Sequence, residues 1–146
     1  MDMENVAFVV ERTFHAPAAA VWKAITDKEE MEKWYFTLQE FQPEVGYKFQ
    51  FLSGPDEDRQ YLHLCEITEV IENKKLAYSW RYDGYEGNSL VSFELFPDEN
   101  ITKLKLVHAG LKSFPSNNPD FDESSFAEGW TWIIGTSLKE YLAKTA

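Results

Sequence analysis

The sequence predicts an α+β fold in which a curved antiparallel sheet of about six or seven strands wraps around one long C-terminal helix. Two observations carry this prediction. Apolar and polar residues alternate in a segment near the N-terminus and again in several segments between residues 45 and 109, as half-buried strands do. From about residue 125 to about residue 144, apolar residues recur at three- and four-residue steps, which predicts an amphipathic helix.

The first part of the chain predicts one strand and two short helices. The strand covers residues 5–14, and a helix over 17–26 follows Pro17, because proline is favoured where a helix begins. Asp27 is expected to cap a second helix that ends near Trp34, with Glu30 completing a capping-box-like pair. The remaining strands are predicted at 45–52, 59–72, 76–82, 89–96 and 101–109, with turns at 54–56 and 97–100.

Composition limits the classes of function. The chain has 146 residues, which suits one domain spanning residues 1–146, and its 25 acidic and 14 basic residues give a formal net charge of −11. This charge disfavours nucleic acid and anionic membranes as partners. No apolar run is long enough to span a membrane, no signal-peptide pattern is visible, and the lone Cys65 cannot form an internal disulfide. We therefore expect a cytoplasmic protein.

The inward faces of the strands and helices are unusually rich in aromatic residues. One helix is too narrow to cover such a sheet, so the pattern predicts a cavity for a small apolar or aromatic molecule; the alternative is a solid aromatic core. The cavity interpretation needs a void of about 300 Å³ or more, the lower end of ligand pockets. Its predicted lining consists of Trp34, Tyr47, Phe49, Phe51, His63, Cys65, Tyr78, Trp80, Phe93, Leu106, His108, Trp130, Ile134 and Tyr141.

Few of these residues suggest catalysis. His63 and His108 could orient a ligand or transfer a proton, but half-buried strand histidines with satisfied nitrogens are the favoured alternative. Cys65 has no activating partner in the sequence. Motifs for structural zinc, phosphate loops and dinucleotides are absent from the sequence. We therefore predict no metal, no cofactor and no catalytic residue.

Three motifs occur in a characteristic order. The segment Ala16–Asp27 followed by Trp34, the strand ending Leu76–Trp80, and Gly129-Trp130 followed by Leu138–Leu142 resemble the START-like (birch-pollen-allergen-like) SRPBCC superfamily. Within it, the chain is most similar to the homologues of the activator of heat-shock-protein-90 ATPase. The resemblance covers essentially the whole chain and implies a helix-grip fold.

The resemblance also implies a function. It favours a protein that binds a small hydrophobic ligand in a cavity between the C-terminal helix and the sheet, with the loops at 55–58 and 120–123 beside its mouth. One alternative is a co-chaperone-type protein that interacts with heat-shock protein 90. Another is a cyclase- or hydrolase-like enzyme in which His63, His108, Tyr78 or Tyr141 acts as general acid or base. Both a monomer and a homodimer are compatible with the sequence.

Overall fold

The computed structural model describes residues 7–35, 40–115, 118, 121 and 123–145. Within them, six strands form one antiparallel sheet in the order β1-β6-β5-β4-β3-β2. The strands are β1 (Ala7–Phe14), β2 (Lys48–Asp56), β3 (Arg59–Ile71), β4 (Lys75–Tyr82), β5 (Ser89–Asp98) and β6 (Ile101–Ala109). The helices are α1 (Ala18–Thr26), α2 (Lys28–Trp34), a short 3-10 helix (Leu111–Ser113), α3 (Glu123–Trp132), a π-helical segment (Ile133–Leu138) and α4 (Lys139–Thr145).

This architecture confirms the predicted α+β fold, with a sheet of six strands, two short helices after β1 and a C-terminal helix made of α3, the π-helical segment and α4. The predicted turn at 54–56 is wrong. β2 continues to Asp56 through an irregularity in the register after Ser53, so that the chain reverses at residues 57–58. Residues 5 and 6 of the predicted first strand lie outside the described residues.

The second predicted turn is also displaced. β5 runs on through Pro97 to Asp98, which pairs with Ile101, so only Glu99 and Asn100 form the turn. Glu99 adopts a φ of 58°. A positive φ of this kind is what a two-residue hairpin turn requires in order to match the twist of its strands.

The two short helices are fastened to the C-terminal helix. Asp27 caps α2, because its side chain accepts a hydrogen bond from the Glu29 backbone N–H at 2.9 Å. The expected capping-box role of Glu30 is wrong. Its carboxylate instead accepts a hydrogen bond from Tyr141 O–H at 2.8 Å and lies 3.5 Å from Lys23 Nζ. Glu30 therefore links α1 and α2 to α4.

The C-terminal helix lies on the concave face of the sheet and is interrupted by the π-helical segment. Ile134 and Leu138 are fully buried there. Two glycines in this helix have different surroundings. A Cβ at Gly135 would lie 3.3 Å from Arg12 Nε, whereas a Cβ at Gly129 would meet no atom within 4 Å. Only Gly135 is thus closely approached by another part of the chain.

This difference gives a stability prediction. We expect Gly129→Ala to raise the free energy of unfolding by up to about 1 kcal/mol, because glycine costs about that much in a helix interior and the added methyl group meets no atom. Gly135→Ala is expected to gain less, because Arg12 must move. Urea unfolding of the two variants beside the wild type measures both effects, and an equal gain would contradict the prediction.

Candidate functional site

A cleft of about 260 Å³ lies between α3 and the adjacent part of the sheet. One wall comes from β2, β3 and β4, and the other from Phe121 and the C-terminal helix. Among the described residues, none that lines it is Asp, Glu, Lys or Arg, although the chain as a whole is strongly acidic. The lining is Ser53, Gly54, Tyr61, His63, Trp80, Tyr82, Phe121, Ser125, Phe126, Gly129, Trp130 and Ile133.

The periodicity of each element explains how these side chains meet. On β3 and β4, residues two apart point to the same side of the sheet, which brings Tyr61 and His63 beside Trp80 and Tyr82. On α3, Ser125 and Gly129 lie one turn apart at the exposed rim, whereas Trp130 is buried. The absence of a side chain at Gly129 leaves this rim open.

A chain of hydrogen bonds fixes the indole of Trp130. Its Nε1–H donates to His108 Nδ1 at 2.9 Å. Because that nitrogen accepts, the proton of neutral His108 resides on Nε2, which donates to Ser89 Oγ at 2.8 Å. The Ser89 hydroxyl then donates to the Trp80 carbonyl oxygen at 2.8 Å. The chain joins the helical wall of the cleft to the sheet wall.

His108 is consequently a structural residue. Burial lowers its pKa to about 3, since a buried imidazole loses hydration when it is charged. Protonation would also turn Nδ1 into a donor that faces the Trp130 donor. Both imidazole nitrogens of this residue are already hydrogen-bonded within the protein. This agrees with the alternative that the strand histidines are buried residues with satisfied nitrogens.

His63 lies on the cleft wall itself. Its Nδ1–H donates to the Tyr61 carbonyl oxygen at 2.9 Å, and its ring stacks on Phe51 with centroids 4.4 Å apart. Burial lowers its pKa to about 4 and outweighs the opposing effect of nearby backbone carbonyls. His63 is thus neutral at physiological pH and contributes no charge to the cleft.

A second tryptophan in the wall is also held in place. Trp80 Nε1–H donates to the hydroxyl oxygen of Tyr82 at 2.9 Å. Tyr82 stacks on Phe121 with centroids 4.5 Å apart. Burial raises the pKa of Tyr82, which keeps its phenol neutral. Hydrogen bonding and ring stacking therefore fix the positions of Trp80 and Tyr82, and Tyr82 is uncharged.

The structure brings only some of the predicted lining residues to the cleft. His63, Trp80 and Trp130 line it, so their role as ligand contacts stays a prediction. The other eleven are packed elsewhere and are not part of the cleft wall. They are Trp34, Tyr47, Phe49, Phe51, Cys65, Tyr78, Phe93, Leu106, His108, Ile134 and Tyr141.

At about 260 Å³, the cleft does not reach the void of about 300 Å³ that the cavity interpretation requires, because aromatic side chains fill most of the concave face. The predicted size of the cavity is therefore wrong, and only a smaller guest fits. Tyr35, which follows α2, stacks near Trp130 with centroids 6.1 Å apart. Its hydroxyl is hydrogen-bonded to that of Tyr78 at 2.6 Å. Cys65 is buried in this packed region, which raises the pKa of its thiol and makes it a poor nucleophile.

Sequence reasoning missed nine residues of the lining. The period-two alternation of the strands could have identified Tyr61 and Tyr82, because they share the inward face with His63 and Trp80. Gly129 also had a usable signal, as a glycine retained inside a helix. Phe126 and Ile133 had one as well, because both belong to the predicted apolar stripe of the C-terminal helix. The others, on a hairpin, a loop and the helix rim, carried no periodic signal of their own: Ser53, Gly54, Phe121 and Ser125.

Further hollows, lined by described residues, lie away from the space between helix and sheet. One of about 310 Å³ is lined by residues of β2, β3 and β4 that include Lys48 and Arg81. The other, of about 570 Å³, lies beside α1 and the start of α2. Among the described residues, no cluster of three or more His, Cys, Asp or Glu could hold a metal ion. No helix in that part of the chain is long and apolar enough to cross a membrane.

The fold and the uncharged aromatic cleft define a protein of the helix-grip, SRPBCC class. Residues 15–143 match the family model described as "Activator of Hsp90 ATPase homolog 1-like protein", and the chain belongs to that family. The chain has no match among curated proteins. The family description names the chaperone-related activator, and the co-chaperone alternative for this chain stays a prediction.

Solved structures support the fold. Protein MLL2253 from Mesorhizobium loti is 26% identical, with a TM-score of 0.78 over 97% of this chain and 99% of that chain. Mll3558 from Rhizobium loti is 18% identical, with a TM-score of 0.80 over 94% and 96%. DynU16, from the dynemicin biosynthetic locus, is 20% identical, with a TM-score of 0.75 over 94% of this chain and 47% of that chain.

Proposed function

We propose that the chain binds a small, neutral, aromatic molecule in the cleft between α3 and the sheet. The observation that carries this proposal is a hollow whose described wall residues include many aromatic rings and no ionisable side chain that is charged at neutral pH. Neutral aromatic walls favour flat, uncharged guests, because a buried charge without a partner is costly.

The volume limits the size of the guest. An apolar cavity of about 150 Å³ is large enough to bind benzene, so a cleft of about 260 Å³ suits a molecule of one or two rings. At about −0.3 kcal/mol per non-hydrogen atom, a two-ring guest gains about −4 kcal/mol, which corresponds to a dissociation constant of about 1 mM or tighter.

The test compares two ligands of nearly the same shape, neutral 2-naphthamide and anionic 2-naphthoate. Binding is followed through the indole N–H signals of Trp80 and Trp130 in ¹H–¹⁵N spectra of the labelled protein. We expect saturable shifts with 2-naphthamide and at least about tenfold weaker binding of 2-naphthoate, because the described lining of the cleft contains no cation. If 2-naphthamide leaves both signals unchanged, or if the anion binds equally well, the proposal fails.

A cavity-filling variant locates the binding site. Gly129→Leu places a side chain in the open rim, so we expect at least about tenfold weaker binding of 2-naphthamide. Thr131→Leu adds an apolar side chain at an exposed position of the same helix and should leave the affinity unchanged. Equal affinities for the two variants would show that the ligand binds elsewhere.

A further inference from the structure

The solvent-facing side of the sheet carries a region without charge. The strand register arranges its side chains in rows that cross β1, β6, β5 and β4. Two neighbouring rows contain eight residues, none of them charged, in a chain with 39 charged residues (25 acidic plus 14 basic). Val9 and Leu90 are 46% and 43% exposed there, whereas Ala77 on β4 is buried. The first row is Ala7, Ala109, Leu90 and Ser79; the second is Val9, Val107, Ser92 and Ala77.

The next row along the strands has the opposite character. It consists of Glu11, Lys105, Glu94 and Lys75, whose charges alternate in sign from β1 to β4. Beyond it, Lys103 on β6 stands 5.6 Å from the centre of the Phe96 ring. Both ends of the row also have ion-pair partners in their own chain, since Glu11 lies 3.1 Å from Lys103 and Lys75 lies 3.2 Å from Glu69. The face is therefore close to neutral and carries a regular charge pattern.

We propose that this face is the interface of a homodimer, in which two sheets pack face to face about a two-fold axis parallel to the strands between β6 and β5. Such an axis reverses the order of the strands, so the row Glu-Lys-Glu-Lys meets Lys-Glu-Lys-Glu. Lys105 faces the partner's Glu94, and Glu11 faces the partner's Lys75. An axis across the strands would either set like charges opposite each other or set this charged row against an uncharged one, and both are costly.

The same axis matches large side chains with small ones in the two uncharged rows. Leu90 lies over the partner's Ala109, and Val107 lies over the partner's Ser92. Because the axis preserves strand direction, the two sheets can adopt the aligned packing, within about 30°, that sheets prefer. The two-fold axis parallel to the strands thus pairs opposite charges and also sets large side chains against small ones.

The interface is small. Four strands about 4.8 Å apart and four rows about 6.8 Å apart cover about 500 Å² per protomer. The total of about 1,000 Å² is close to the lower limit for a specific interface. We therefore expect a weak dimer, in equilibrium with monomer at micromolar concentrations.

Charge reversal and its rescue test the proposal by sedimentation equilibrium. The wild type should dimerise, and Glu94→Lys or Lys105→Glu alone should weaken the dimer at least about tenfold, because each places like charges opposite each other. The double variant E94K/K105E restores opposite charges across the interface, although each new charge then lies beside a like charge on the neighbouring strand of its own sheet. It should dimerise to within about threefold of the wild type. Glu128→Lys, an exposed charge reversal on α3, should leave dimerisation unchanged.

Three results would overturn the proposal. They are a wild type that stays monomeric up to about 500 µM, a dimer that survives both single substitutions, or a double variant that fails to recover. Circular dichroism shows that each variant is folded, so loss of the dimer is not confused with unfolding. Ligand binding by the cleft is measured separately and does not enter this test.

Discussion

Acidification from pH 7 to about pH 5.2 is expected to lower the free energy of unfolding by about 3 kcal/mol, through His63 and His108 alone. Burial lowers the pKa of His63 to about 4 and that of His108 to about 3, from an ordinary value of 6.5. Between pH 6.5 and these values, the unfolded chain binds two protons that the folded protein does not.

The free energy of unfolding therefore falls as the pH is lowered. The stabilisation from the two neutral imidazoles is fully present above pH 6.5 and is lost as the pH falls towards the pKa values of the folded protein. Each histidine contributes a slope of up to about 1.4 kcal/mol per pH unit. Carboxyl groups titrate mainly below pH 5, so the histidines dominate the chosen range, which also stays above the isoelectric point of about 4.7.

Urea unfolding at several pH values measures this slope. His63→Phe and His108→Gln should each reduce the number of linked protons from about two to about one, whatever they do to the stability at pH 7. The double variant should show a slope near zero in this range. A wild-type slope near zero would mean that neither imidazole is held neutral by the folded protein.

The sheet was predictable because its residues alternate. On β6, Leu104, Leu106 and His108 all face the core, as the pattern of residues 101–109 indicates. The π-helical segment was not predictable, because the apolar stripe of residues 133–138 is equally compatible with a regular α-helix. The place where this segment meets Arg12 depends on tertiary packing, and the spacing of apolar residues in the sequence does not report on tertiary packing.

The candidate site was predictable only in outline. Period-two alternation places His63 and Trp80 on an inward face but does not tell which inward side chains border empty space. That depends on residues contributed from irregular segments, such as Tyr35, which packs near Trp130, and Phe121, which packs on Tyr82. Tyr35 helps to close the middle of the concave face, and Phe121 forms part of the cleft wall.

Removing the Trp130 side chain is expected to cause the largest loss of stability, about 3–5 kcal/mol for Trp130→Ala. The indole is buried and packs near Trp80, with centroids 5.6 Å apart, and near Phe93, with centroids 6.1 Å apart. The substitution also leaves His108 Nδ1 without the donor that now satisfies it. Trp130→Phe keeps most of the ring and should cost less.

The space left by Trp130→Ala should accept an added indole, which stabilises the variant in proportion to its binding. Benzothiophene has nearly the same shape but lacks the N–H that donates to His108. We expect the variant to prefer indole by about 1 kcal/mol, which is about fivefold in affinity, because only indole re-forms the hydrogen bond.

Thermal unfolding of the wild type and of Trp130→Ala with each compound measures this preference. The wild type is the control for any binding in the native cleft, because its His108 nitrogen is already occupied by Trp130. A preference for indole seen only in the variant would establish the Trp130–His108 bond as the anchor between the helical wall and the sheet. If the two compounds stabilise the variant equally, packing alone holds the indole. The hydrogen bonds of His108 and Ser89 would then not position the helical wall of the cleft.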